Sequence, residues 1–381
     1  MANSIYLDNQ ATTPLDPAVL EVMLPFLTSK FGNPHSASHA YGWETEAAID
    51  VARAQVSSLI KAQEPNEIYF TSGATEANNL AIKGTMQAYG RERPHMVTVN
   101  TEHKCVLETM RYCESMGFSL TVVPVNAKGL VEIDSLEKAI TNKTAIVSVM
   151  AVQNEIGTIQ DIKTIATLAH SKGALFHTDA AQGFGKIPLD VQDMTIDLMS
   201  ISGHKIYGPK GVGALYVKKG VRLVSQIHGG TQEDGLRAGT QAPALCAGLG
   251  MAASLAETSM ITEHTRIRHL QETLLNALIN LYPPLVVNGS LDERWVGNLN
   301  ISFPGINGDR LIANLRAIAL SSGSACSSGS ATGSFVLKAL DLPKELISSS
   351  LRLGIGRFTT EEDIQIAIEH FKSALEKLGK L

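Results

Sequence analysis

Two stretches decide the fold: Ala174-Leu175-Phe176-His177-Thr178-Asp179-Ala180-Ala181-Gln182, and Asp197-Leu198-Met199-Ser200-Ile201-Ser202-Gly203-His204-Lys205. Each is a short apolar run ending in polar residues with chemistry to offer. Their separation fits one crossover between neighbouring parallel strands, which a hairpin would not need. Working outward, the same rhythm recurs at Ile68-Tyr69-Phe70, Met96-Val97-Thr98-Val99, Ala145-Ile146-Val147-Ser148-Val149 and Gly213-Ala214-Leu215-Tyr216-Val217, with longer amphipathic segments between. Alternation of this kind predicts an α/β fold whose mostly parallel sheet is covered by helices.

The rhythm changes after about residue 240. A helical stretch runs from Ala242 towards Leu281 and stops at Pro283-Pro284. Strand-like Asn300-Ile301-Ser302-Phe303 and Ile318-Ala319-Leu320-Ser321 follow. The closing helix opens on a Thr359-x-x-Glu362 capping box and carries Ile364, Ile368, Phe371, Leu375 and Leu378 on one face. At the other end, Ile5-Tyr6-Leu7 is extended, and Asp16-Pro17 starts a helix with a cap and a proline in its first turn. The expected division is a large α/β domain over residues 15–256 and a smaller α+β domain built from 1–14 and 257–381. A Ser-, Gly- and Ala-rich stretch, Ser321 to Ser334, holds Cys326.

Composition narrows the function. With 44% hydrophobic and 18% charged residues, the 381-residue chain reads as a well-buried enzyme rather than a disordered one. A net charge of -5 without a Lys/Arg-rich run argues against nucleic acid or an anionic membrane as partner. No stretch reads as a membrane span, and the start, Met1-Ala2-Asn3-Ser4-Ile5, lacks the form of a signal peptide. Four cysteines without paired spacing fit a reducing cytoplasm.

Three pieces carry the chemistry. Thr71-Ser72-Gly73-Ala74-Thr75-Glu76 is a glycine turn opening a helix, which offers free N–H groups and a positive dipole end to a phosphate. Taken alone, it is also an ordinary strand-to-helix connection. Asp179 ends an apolar strand, where ligands bind in open α/β sheets, and an acid there can keep a pyridinium nitrogen protonated. Lys205, after Ser202-Gly203-His204, is the residue type that forms a Schiff base. Together, in this order, they point to pyridoxal phosphate. His103 follows the strand Met96 to Val99 and is placed to stack on a flat ring and move protons. Cys326 has small, polar neighbours, as a reactive thiol needs, whereas Cys105, Cys113 and Cys246 read as buried structural cysteines. No His/Cys spacing predicts an intrinsic metal site.

The stretches Leu7 to Pro14, Phe31-Gly32-Asn33-Pro34, Thr71 to Glu76, Asn154-Glu155-Ile156-Gly157, Ser202 to Gly211, Ser321 to Cys326 and Gly356 to Thr360 resemble, in order along the chain, the NifS/IscS-type cysteine desulfurases. That resemblance implies a fold-type I pyridoxal-phosphate homodimer of the long-loop subgroup. Lys205 would carry the cofactor, and Ala74, Thr75, Ser202 and His204 would hold its phosphate, joined by Thr240 from the neighbouring subunit. Asp179 would pair with the ring nitrogen, Gln182 with the ring oxygen, and His103 would stack on the ring. Asn154 and Asn33 would line the substrate side, and Arg352 would take the carboxylate of L-cysteine. Cys326 would receive the sulfur as a persulfide and pass it to an acceptor protein such as an iron–sulfur scaffold; whether it also serves as a transient cluster ligand stays open. Asp234, in Gln232-Glu233-Asp234-Gly235, stands where relatives usually carry a basic residue. A selenocysteine lyase, a direct C–S lyase and a non-catalytic sulfur-transfer partner are the alternatives on the same scaffold.

Overall fold

The computed structural model describes residues 4–322 and 333–381; Cys326 lies outside them. Seven strands form the main sheet in the order Ile68–Thr71, Gly213–Val217, Leu198–Ser202, Leu175–Asp179, Thr144–Ser148, His95–Val99, Ser119–Val123. Within it Gly213–Val217 runs antiparallel to both neighbours and the remaining pairings are parallel. The central strands Thr144–Ser148 and Leu198–Ser202 are buried throughout, as a sheet covered on both faces requires.

Asp179 pairs in register with Ser200, so Leu175–Asp179 and Leu198–Ser202 are adjacent parallel strands. The reversal at Gly213 has a local cause. Only the loop around Tyr207 to Gly211 separates it from the preceding strand, too little chain for a crossover helix. Positive φ at Tyr207 (66°) and Gly211 (83°) turns that loop back. The edge strand Ser119–Val123 had no clear apolar signal because it is mostly half-buried or exposed.

A second, antiparallel sheet has the order Ser321–Ser322, Ser350–Gly354, Asn298–Ser302, Val286–Val287. The N-terminal Ile5–Tyr6 pairs parallel with Ile318–Ala319, and Asp8 bridges to Gly354. This pairing brings the first residues of the chain onto the C-terminal sheet, beside Arg352.

The 39-residue helix Pro243–Leu281 packs against Pro17–Leu27, Ala40–Ile60 and Glu361–Lys377. A Cβ at Gly250 would stand 2.5 Å from the Ala52 Cα, so glycine is what lets the two long helices approach. Two sequence readings need correction. Pro243–Leu281 does contain a window long and apolar enough to cross a membrane, with mean hydropathy 1.4, and half of that window is buried in the fold. Its apolar character is that of a core helix touched on several sides. The last helix, Glu361–Lys377, is capped by Thr360 and Asp363, one residue later than expected. Thr359 is occupied elsewhere: its Oγ1 accepts from the Gly356 N–H at 3.0 Å.

Candidate active site

A cleft of ≈ 720 Å³ opens where the parallel strands end. Its walls come from the turn after Ile68–Thr71, from His103 beyond His95–Val99, from Asp179 and Gln182, and from Ser202 to Lys205. Asp8, Gln10, Ala11, Thr12 and Arg352 close it from the side of the second sheet.

At one end the helix Ala74–Tyr89 begins with Gly73 as its N-cap. Its first N–H groups have no acceptor within the helix, and its dipole end is positive. Gly73 sits at φ 152°, and the space where its Cβ would stand has no atom within 4 Å. Glu76 reaches back to the Ser72 N–H at 2.8 Å and is held by Arg237 Nε at 2.7 Å, which fixes the turn. Ser202, His204 and Thr75 line the same region. His204 Nδ1 and Thr12 Oγ1 are hydrogen-bonded at 3.0 Å, and burial with the charges of Lys205, Lys210 and Lys186 pushes the His204 pKa down to about 4. It is therefore neutral at physiological pH.

The middle of the cleft holds Asp179, buried at 3% exposure. Its Oδ1 accepts from the Ala181 N–H at 2.9 Å and its Oδ2 from Asn78 Nδ2 at 2.7 Å. His103 caps the helix Lys104–Ser115, and its Nδ1 accepts from the Cys105 N–H at 3.2 Å. That leaves Nε2 for chemistry. Burial lowers the His103 pKa, with Lys205 and Lys104 adding to the shift and Asp179 opposing it. Beneath it, burial and the Asp179 charge push the Glu102 carboxyl well up. Lys205 Nζ donates to the carbonyls of Gln10 at 2.5 Å and Ala11 at 2.7 Å.

At the far end Arg352 is 4% exposed and pairs with Asp8 Oδ1 through Nη2 at 2.9 Å. The same nitrogen reaches Ser321 Oγ at 3.1 Å, and Nη1 donates to the Asn154 carbonyl at 3.1 Å. Its Nε has no partner among the described residues. A buried guanidinium with a donor to spare is a site for a planar anion such as a carboxylate.

Amine, acid and phosphate-ready helix terminus thus line one cleft, and this donor set fits pyridoxal phosphate. The class-V aminotransferase model matches residues 5–366. The chain belongs to the class-V aminotransferase family. It is 50% identical over 379 residues to the cysteine desulfurase IscS of Rickettsia akari (strain Hartford), covering 99% of this chain and 92% of the relative. Among solved structures, a NifS-like protein superposes with a TM-score of 0.92 at 34% identity, covering 98% of this chain and all of that one. SspA in complex with cysteine gives 0.83 at 39% identity over 94% of this chain and 100% of the other. Class-V aminotransferases of the IscS and NifS kind are pyridoxal-phosphate enzymes.

Of the residues that sequence reasoning nominated, this class-V chain brings Ala74, Thr75, His103, Asn154, Asp179, Gln182, Ser202, His204, Lys205 and Arg352 into one cleft. Asn33 and Thr240 are exposed and do not line it. Thr240 borders an adjacent depression that shares Ser72, Gly211 and Val212 with the cleft. Cys326 lies outside the described residues. Cys105 departs from its reading as a structural cysteine: its Sγ faces His103 Nδ1 at 2.9 Å and accepts from Asn78 at 3.0 Å. Helical phase explains the departure, because Cys105 sits in the first turn beside the His103 cap and therefore faces the cleft. Asp8, Gln10 and Ser321 were seen only as parts of motifs, and Lys186 and Glu102 carried no signal of their own.

Proposed function

We infer that this chain is a pyridoxal-phosphate cysteine desulfurase, releasing alanine from L-cysteine and retaining the sulfur for an acceptor protein. One observation carries the reading: Lys205, Asp179, His103 and Arg352 face a single cleft, alongside the open first turn of Ala74–Tyr89. Lys205 would hold the cofactor, Ala74, Thr75, Ser202 and His204 its phosphate, Asp179 the ring nitrogen and Gln182 the ring oxygen. The bound cofactor supplies an electron sink next to the substrate's α-carbon.

The chain's own residues do the rest. Arg352, with Asn154 beside it, orients the substrate carboxylate. Lys205 Nζ moves the α-proton, and His103 handles a proton through Nε2. Cys326 accepts the substrate sulfur: the C–S bond breaks as an S–S bond forms, and the carbon skeleton, once protonated, leaves as alanine. Exposed Asn33 and Thr240 would act across a homodimer interface. Exposed Phe31, Tyr41 and Trp43, at 70%, 55% and 55%, flank Asn33 and support a second copy as their cover. We assign residues 15–256 to the large domain, and 1–14 with 257–381 to the small one. Unpaired Cys105, Cys113 and Cys246 support a reducing compartment, the cytoplasm. An iron–sulfur scaffold is the proposed acceptor.

The Cys326→Ser protein should bind the cofactor and shift its visible spectrum on adding cysteine, yet trap no persulfide and release no sulfide. Sulfide release at the wild-type rate would remove Cys326 from the reaction and leave a direct lyase.

A further inference from the structure

Behind the cleft, in the turn that follows Asp179, lies a second lysine. Lys186 is 8% exposed, and among the described residues no carboxylate forms an ion pair with it. A buried amine without a counter-charge costs stability. Burial, reinforced by the charges of Lys205 and Arg352, pushes its pKa down to about 7. Its geometry offers a reason for its being there. Lys186 Nζ donates to Gln182 Oε1 at 2.9 Å, and Gln182 Nε2 donates to the Gln10 carbonyl at 2.8 Å. The same carbonyl accepts from Lys205 Nζ at 2.5 Å. The four residues form one chain: Lys186, Gln182, Gln10, Lys205.

The Gln10 carbonyl only accepts, and a protonated lysine only donates, so both ends of the Gln182 amide are dictated while Lys186 carries its proton. Turning the amide over would set Oε1 against the Gln10 carbonyl, losing that bond in either state, and Nε2 against protonated Lys186, losing the second. In the observed sense, one Nε2–H is taken by Gln10 and one remains, on a residue that lines the cleft.

We propose that Lys186 is a positioning residue that locks the Gln182 amide so that the cleft presents a donor, and not an acceptor, to the ring oxygen of the cofactor. The proposal rests on the reading of Gln182 as the ring-oxygen contact. Lys186 itself does not line the cleft, whereas Gln182 does, and it acts through Gln182.

The test is a double-mutant cycle on the holoenzyme, reading pyridoxal-phosphate affinity and the visible band of the bound cofactor in wild type, Lys186→Met, Gln182→Leu and the double variant. Lys186→Met should weaken cofactor affinity about five- to tenfold and shift the band, and should add nothing once Gln182 is leucine. Lys186→Gln, which keeps an N–H donor, should restore most of both, and carries the test if Lys186→Met does not fold. Additive effects would mean that Lys186 acts by its charge directly on Lys205 and would overturn the positioning role. A lower melting temperature with unchanged band and affinity would reduce Lys186 to a structural residue. Borohydride reduction and peptide mapping keep the two readings apart. A cofactor mass absent from Lys205 in wild type sinks the cofactor assignment itself, whereas its presence with an unchanged Lys186→Met spectrum sinks only the positioning role.

Discussion

Replacing Arg352 by leucine should abolish the preference for a free carboxylate without unfolding the protein. The guanidinium is 4% exposed and is already held by Asp8, Ser321 and the Asn154 carbonyl, so it is pre-oriented before substrate arrives. Hydrogen bonds to charged groups contribute roughly 1.5–3 kcal/mol each. A two-point grip on a carboxylate, reduced by competition from Asp8 for Nη2, is then about 3–4 kcal/mol, or roughly 10²–10³ in kcat/KM. Removing the arginine should leave the fold mostly intact, because Ser321 Oγ still reaches both Asp8 oxygens, at 2.9 and 3.0 Å. The cost to stability should be about 1–2 kcal/mol. The assay compares L-cysteine with its methyl ester, which keeps the amine, the thiol and the α-proton but carries no anionic carboxylate. Wild type should favour cysteine by about 10²-fold or more, and Arg352→Leu should treat the two alike. A variant that keeps the wild-type ratio would show that the carboxylate is held elsewhere and would refute the assignment.

Two further outcomes follow from the buried groups. Burial and the Asp179 charge push the Cys105 thiol up to about 12, so only about one molecule in ten thousand is a thiolate at pH 8. Brief iodoacetamide treatment of the native protein, followed by peptide mass mapping, should find Cys105 unlabelled; rapid labelling at pH 8 would contradict that environment. His177 is fully buried between Ser148 Oγ at 2.8 Å and Ser200 Oγ at 3.0 Å, and burial lowers its pKa to about 3. The unfolded chain therefore binds a proton that the native state refuses, so stability falls as pH drops below the unfolded value of about 6.5. Between pH 7 and pH 5 this group alone should remove about 2 kcal/mol, measurable by urea unfolding. A His177→Gln protein whose stability falls just as steeply over that window would place the acid sensitivity elsewhere.

Much of the fold was legible because its signals are local. Apolar runs marked most strands of the main sheet, and the spacing between Asp179 and Lys205 marked them as parallel neighbours. Lys205 and Asp179 were legible for a related reason: each terminates such a run, and strand ends are where open α/β sheets gather their chemistry. Ser119–Val123 was missed, since an exposed edge strand need not be apolar. Cys105 was misread, since apolar neighbours in sequence do not say which way the first turn of a helix faces.

Residue types and order along the chain thus determined the α/β class and marked Lys205, Asp179 and the anion-ready helix start as residues of one cleft. Tertiary structure alone decided which distant groups meet. Pairing of Ile5–Tyr6 with Ile318–Ala319 carries Asp8 to Arg352, and the Gln10 carbonyl to Lys205 and Gln182. Those contacts join residues hundreds of positions apart, and they form because strand pairing and burial of the long helix fix the two sheets around one cleft. No local pattern encodes that Lys186 would stand behind Gln182. A buried lysine looks like a solvated one until the chain has folded around it.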